Sequence, residues 1–308
     1  MNIEEACELL SMGEVVAFPT ETVYGLGADA RDHDAVQKIF TIKGRPSDNP
    51  LIVHLADIDQ VKDFAAEISE AARKLMDACW PGPLTLVVKK KPDVLDIVTA
   101  GLPTVALRIP DHPVAQQLIR KAGPLVAPSA NRSGRPSPTK AEHVRRDFGS
   151  GFPILDGGDS RIGLESTVLK VSEVPFLLLR PGSYTIRELE KISGMEILPE
   201  PPASGPPQSP GLKYTHYRPS AEVCWFDPFA PPDPDKALLV THINRPSGYP
   251  NHVHFNSDYD EMAHCLYDLF RTADYRKLSI IAIENLPESN SHPMIAALKN
   301  RIDKAVGN

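Results

Sequence analysis

Apolar and polar positions alternate along the first two-thirds of the chain in two distinct periods. Segments with apolar residues three and four apart predict helices over Ile3–Met12, Asp34–Lys43, Pro113–Lys121, Lys140–Phe148 and Thr185–Ile192. Ala35, Val36, Ile39 and Ile42 share one face of the second, and Gly13 stops the first. Short β-rich runs predict strands at Val15–Phe18, Leu51–Leu55, Leu84–Val88, Val105–Ile109, Leu125–Ala127, Thr167–Val171 and Phe176–Leu179. The interleaving of the two patterns predicts an α/β unit with a mixed sheet. Beyond residue 220 the pattern resumes, with strands at Val223–Phe226, Ala237–Val240 and Ser279–Ile283 and helices at Asp260–Thr272 and Pro293–Val306. That is a second, small α/β unit of Rossmann-like character, too short for a full six-stranded dinucleotide fold.

Between the two lies a break. Residues 199–219 hold seven prolines, which forbid helix and interior strand and favour an extended path. The chain therefore divides into residues 1–198, a Pro-rich linker at 199–219, and residues 220–308. A length of 308 residues suits this division and needs no disulfide or metal to stabilise it. Cys7, Cys79, Cys224 and Cys265 are far apart and make no Cys-x-x-Cys, so neither a zinc ribbon nor a redox pair is indicated. No apolar run reaches the roughly 20 residues of a membrane helix, and the acidic start Met1-Asn2-Ile3-Glu4-Glu5 is unlike a signal peptide. A cytoplasmic protein with free thiols and no membrane contact is expected.

Net charge is −7, which speaks against a protein that coats nucleic acid. A local basic patch is present nonetheless around Lys43, Arg45, Arg132 and Arg135. Five segments rich in polar residues, glycine and proline sit where strands or helices end: 19–27, 43–54, 107–113, 127–139 and 163–168. Such positions carry ligand groups on a rigid frame, and they also suit plain turns.

Lys43 and Arg45 close a helix pattern, as a grip on phosphates or as a solvated C-terminal pair favoured by the helix dipole. Ser129 and Asn131 follow a strand, to hold a ligand or to form an Asx or Ser turn. Arg108 lies inside an apolar strand and requires an anion, either a ligand carboxylate or a nearby Asp or Glu. His54 ends an apolar run, as a site residue or a hydrogen-bonded core residue. Gly25-Leu26-Gly27-Ala28-Asp29-Ala30 fits the loose G-x-G-x-x-A pattern, but no amphipathic helix starts within it. No P-loop sequence occurs, so any ATP would be bound without one.

Taken together the motifs resemble the YrdC-like family in its long form, whose members are threonylcarbamoyl-AMP synthases. The K-x-R and S-x-N signatures are Lys43-Gly44-Arg45 and Ser129-Ala130-Asn131. The likeness extends through P-T-E-T-V-Y-G-L-G, S-D-N-P-L-I-V-H, W-P-G-P-L-T-L, S-G-R-P-S-P-T, G-L-E-S-T-V and L-R-P-G. It includes the linker motif S-P-G-x-x-Y-x-H-Y-x-P at Ser209–Pro219.

The resemblance implies a YrdC-like twisted mixed sheet with helices around a concave cavity. It also implies condensation of L-threonine, bicarbonate and ATP to threonylcarbamoyl-AMP and pyrophosphate. That product would pass to the tRNA threonylcarbamoyl-transferase machinery, with at most weak tRNA contact by this chain. Thr22, His54, Arg108, Ser129 and Ser166 would form the L-threonine pocket. Arg45, Asn49, Thr104, Asn131, Thr139 and Arg180 would hold the nucleotide, with Tyr214 or His216 closing over it. Lys43 and Arg45 would stabilise the charge moving onto pyrophosphate, helped by Mg²⁺ carried with ATP rather than by a metal ligated to the protein. A non-catalytic RNA-binding module and a hydrogenase-maturation carbamoyl transferase are the rivals, with a Rossmann oxidoreductase a remote further one. The charge counts against the first, and the absence of Cys-x-x-Cys against the second.

Overall fold

The computed structural model describes residues 1–199, 217–288 and 292–307. Strands β1 (Val16–Phe18), β2 (Gly25–Asp29), β3 (Ile52–His54), β4 (Leu84–Lys89), β5 (Thr104–Arg108), β6 (Leu125–Val126), β7 (Thr167–Lys170), β8 (Phe176–Arg180) and β9 (Ile197–Pro199) form one sheet. Their spatial order is β1-β2-β6-β3-β5-β4-β7-β8-β9. Parallel pairs β3/β5, β4/β7 and β8/β9 are interspersed with antiparallel ones, so the sheet is mixed, as the alternating pattern predicts.

A second sheet is built from β10 (Glu222–Trp225), β11 (Ala237–Thr241), β12 (His252–His254) and β13 (Ile280–Ile283). Its order is β10-β13-β11-β12, with every described pair parallel. All five residues of β11 are buried, as expected of a parallel strand covered on both faces. Helices Tyr259–Tyr275 and Pro293–Val306 join Val223, Leu238, Val240, Ile281 and Ile283 in one apolar core. Among the described residues no helix is long and apolar enough to cross a membrane.

The structure adds elements that the periodicity analysis leaves out. Helix Glu70–Cys79 starts at Ser69, whose hydroxyl accepts from Ala72 N, and buries Ala72, Leu75, Met76 and Cys79 on one face. Strands β9 and β12 have three residues each, too few for a visible alternation. The loop expected over 19–27 gives way at Gly25 to β2, which pairs antiparallel with β1. Its glycines answer to packing: a Cβ on Gly27 would lie 2.8 Å from the Phe18 ring. Close approach of an aromatic ring, not of a phosphate, is what keeps that position bare.

The large core lies against one side of the first sheet and includes Leu26, Val53, Leu86, Val105 and Leu107. Residues alternating with these point the other way. Parallel register sets His54 of β3 beside Arg108 of β5, and Ile52 beside Ala106. That opposite face carries the chemistry.

Candidate active site

A cleft opens over this face. Thr20, Thr22, Ile52, His54, Arg108, Ser129, Ser166, Arg180, Arg45, Glu165 and Tyr217 are among the residues that line it. Segments as far apart in the chain as Thr20 and Tyr217 thus meet around one hollow.

Arg108 is 3% exposed and is held on several sides. Its Nη1 donates to Thr22 Oγ1 at 2.9 Å and its Nε to Gly82 O at 3.2 Å, from the W-P-G-P turn. Its Nη2 lies 2.6 Å from Glu21 Oε1, and Glu21 is itself buried. Of the two partners open to Arg108 in the sequence, the structure supplies a protein carboxylate, while the guanidinium still borders the cleft. Thr20 Oγ1 donates to Val23 O at 2.6 Å and meets Thr22 Oγ1 at 2.8 Å, so the Thr22 hydroxyl donates to Thr20 and accepts from Arg108. The P-T-E-T-V segment is in this way folded around one guanidinium.

His54 Nδ1 donates to Ile52 O at 3.2 Å, which leaves Nε2 with a free lone pair. Burial, reinforced by the neighbouring Arg108 charge, pushes its pKa down to about 3. The imidazole is neutral at pH 7 and acts as a hydrogen-bonding group.

Ser129 follows β6 and bridges to Gly25. Its hydroxyl donates to Asn131 Oδ1 at 2.6 Å, while Asn131 Nδ2 donates to Arg132 O and Arg135 O at 2.8 and 2.9 Å. This is the turn geometry that Ser and Asn favour, and it presents Ser129 to the cleft. Lys43 stands behind it. Its Nζ donates to Ser129 O and Asn131 O, each at 2.5 Å, and the residue is 3% exposed. Burial and the nearby Arg45 charge hold the Lys43 pKa well below its usual value. Lys43 therefore clamps the S-x-N turn from within and is not part of the cleft lining.

Arg45 does reach the lining. Its Nε and Nη2 donate to the carbonyls of Asn49 and Pro50 at 3.3 and 3.0 Å, and burial lowers its pKa to about 10. Asn49 is buried beneath it. Arg180 closes the far side. Its Nε donates to Ser166 O at 3.0 Å and its Nη2 to Ser166 Oγ at 3.1 Å, while Ser166 Oγ also meets Thr85 Oγ1 at 2.8 Å. Burial lowers its pKa as well.

Thr139 is buried outside the lining, with its N–H 3.2 Å from His143 Nδ1. Thr104 starts β5, at the opposite end of the strand from Arg108, and also lies outside the lining. Tyr214 and His216 lie outside the described residues.

Thr20, Glu21, Glu165 and Tyr217 are site residues that sequence reasoning did not single out. Three of them sit inside segments already marked as polar, and the buried Arg108 itself demanded a carboxylate such as Glu21. Tyr217 is the second tyrosine of the linker motif, and folding brings it to the cleft. It has φ +67°, packs at a tilt against Tyr267 at 5.4 Å between centroids, and shares a hydrogen bond with Arg180.

The cleft thus gathers three arginines, Arg45, Arg108 and Arg180, in a chain whose net charge is −7. Hydroxyls of Thr20, Thr22, Ser129 and Ser166 and the apolar Val23, Ile52 and Ala127 complete it. Such a hollow suits two small anionic groups side by side, with an apolar patch for a short side chain.

Comparison with known proteins places these features in context. The Sua5/yciO/yrdC family model, described as "Telomere recombination", matches residues 8–182. A second model, "Threonylcarbamoyl-AMP synthase, C-terminal domain", matches residues 184–307. Threonylcarbamoyl-AMP synthase of Bacillus subtilis is 44% identical over 99% of this chain and 93% of its own length. The Pyrococcus abyssi protein of the same name is 42% identical over 99% and 94%. A crystal structure of Pyrococcus abyssi Sua5 complexed with L-threonine matches with a TM-score of 0.89 at 40% identity. That match covers 99% of this chain and 94% of the other.

Proposed function

We infer the activity from one premise: the chain belongs to the Sua5/YrdC family, in the form that carries the additional C-terminal domain. It is a threonylcarbamoyl-AMP synthase that condenses L-threonine, bicarbonate and ATP to threonylcarbamoyl-AMP and pyrophosphate, for tRNA modification. The observation that carries this reading is the shared cleft, in which Arg45, Arg108 and Arg180 line one hollow with four hydroxyl side chains.

On the amino-acid side, Arg108 faces the threonine carboxylate. Thr22, Ser129, Ser166 and the neutral His54 take its hydroxyl and amine, and Val23 and Ile52 its methyl. The relative solved with L-threonine supports this side of the assignment. On the nucleotide side, Arg45 and Arg180 are the phosphate ligands. Lys43 and Asn131 act one layer back, since they hold Ser129 in place. Asn49 supports Arg45 in the same way.

The threonine nitrogen adds to carbon dioxide derived from bicarbonate and loses a proton to water. A carbamate oxygen then attacks the α-phosphate, and the bond to the β-phosphate breaks with pyrophosphate as leaving group. The chain's part is to place two anions in contact and to stabilise charge as it moves onto pyrophosphate. Mg²⁺ comes with ATP on phosphate oxygens. The carboxylates at the cleft do not fit a cation ligated by the protein, because Glu21 and Glu165 are already ion-paired with Arg108 and Arg301. The product passes to the tRNA threonylcarbamoyl-transferase machinery in the cytoplasm.

Incubation with labelled bicarbonate, L-threonine and MgATP, followed by mass spectrometry, tests the reading. A threonylcarbamoyl-adenylate that carries the label is expected, and pyrophosphate release that ignores threonine would overturn it.

A further inference from the structure

The first sheet does not finish the cleft alone. Glu165 lines it, one residue before Ser166, and its carboxylate is gripped from the C-terminal domain. Arg301, on helix Pro293–Val306, is 0% exposed and donates from Nε to Glu165 Oε2 at 2.9 Å and from Nη2 to the Glu165 carbonyl at 3.2 Å. Its Nη1 reaches Pro181 O at 2.7 Å, next to Arg180. Tyr267 of the other C-terminal helix donates to the same carboxylate at 3.0 and 3.2 Å, and Ser137 Oγ at 2.5 Å. The ring of Tyr217 lies beneath Arg301 at 5.8 Å and against Tyr267. The backbones also touch. Gly163, at φ +82°, passes so close to the helix Tyr259–Tyr275 that a Cβ there would lie 2.5 Å from His264 Cα.

Two cationic side chains therefore stand near one carboxylate. Arg180 and Arg301 both favour its ionised form, and together they overcome burial and hold the Glu165 pKa down at about 2. Among the described residues the ion pair forms with Arg301, while Arg180 bonds to Ser166 and faces the cleft.

We infer that Arg301 is a positioning residue for the nucleotide side of the cleft: by engaging the Glu165 carboxylate it leaves Arg180 free for phosphate. The C-terminal domain thereby completes a site that belongs to the first domain. With Arg301 removed, the buried carboxylate takes Arg180 as the one remaining cation named beside it among the described residues, and the phosphate loses that ligand. This rests on the assignment of Arg180 to the nucleotide.

Calorimetric titration of the full chain with MgATP tests the inference without turnover. R301Q is expected to weaken ATP binding on the order of tenfold, the scale of one charge-assisted contact. The double variant R301Q/E165Q, in which nothing is left to capture Arg180, should return to within about threefold of the wild type. A merely structural role for Arg301 would make the double variant as weak as R301Q or weaker, and that result overturns the inference, as does an R301Q affinity equal to the wild type's. Where R301Q does not fold, R301K replaces it. A point charge without the fork should weaken binding about threefold, and E165Q should again remove the defect; an unweakened R301K, or one that E165Q does not rescue, overturns it. Wild-type protein that binds no ATP would overturn the assigned activity along with it.

Discussion

Arginines are buried both around the cleft and along the seam between the two sheets, and their partners differ in kind. In the seam, Arg271 meets both carboxylate oxygens of Asp147, at 3.0 and 2.8 Å, and also donates to Pro136 O. Arg301 has all three of its nitrogens engaged, with the Glu165 carboxylate among the partners. Arg45 at the cleft donates to two backbone carbonyls with the Asp48 charge nearby, and Arg180 bonds to Ser166 and Tyr217. Lone carbonyls and hydroxyls orient a guanidinium without neutralising it. A cation buried in that way is costly unless an anion arrives. The seam spends its charge on holding the domains together; at the cleft Arg108 is likewise met by Glu21, while Arg45 and Arg180, held by carbonyls and hydroxyls, keep their charge for a ligand.

The largest effect should come from the seam. Arg271→Ala leaves Asp147 buried and unpaired, and a loss of about 3–5 kcal/mol of stability is expected in urea denaturation. A loss under about 1 kcal/mol would erase the contrast with the cleft. Arg45→Ala should behave the other way round. Stability falls by less than in Arg271→Ala, because two carbonyl contacts and the attraction of Asp48 go rather than a two-pronged carboxylate pair, while ATP affinity falls by about 2–3 kcal/mol. Denaturation and calorimetry on the same preparation separate the two, and a variant that unfolds but still binds ATP tightly would reverse the assignment.

The smallest effect concerns acid. Glu165 has an ordinary pKa of 4.5 when unfolded and about 2 in the fold. Its ionised form therefore stabilises the protein fully above pH 4.5 and progressively less as pH falls towards 2. Stability should fall across that window in the wild type, with the same drop missing in Glu165→Gln. Denaturation curves at a series of acidic pH values decide it, and identical acid limbs in the two proteins would assign the loss to other carboxylates.

Much of the fold was legible because its signals are local. Helix Pro293–Val306 begins on a proline and ends at Gly307, and its bounds match the sequence reading. The elements that escaped are those whose reasons are not local. Strand β2 looked like a loop because its glycines serve Phe18, a residue on the partner strand. Helix Glu70–Cys79 is the exception, since its Ser69 cap and its apolar face are both local signals. Within the site, the K-x-R and S-x-N signatures were visible as residues. Their division of labour was not: Arg45 faces the cleft, while Lys43 clamps the turn from behind.

The sequence by itself determined the alternation of helices and strands, the proline-rich division between two units and the motifs that mark the family, since each depends on residues close together in the chain. Only the tertiary structure decided that Glu21 faces Arg108, that Glu165 is shared across the domain seam by Arg301 and Tyr267, and that Tyr217 borders the cleft. The physical reason is that the fate of a buried charge depends on which distant carboxylate the sheet register and the docking of the second domain bring within reach, and no periodicity along the chain records that distance.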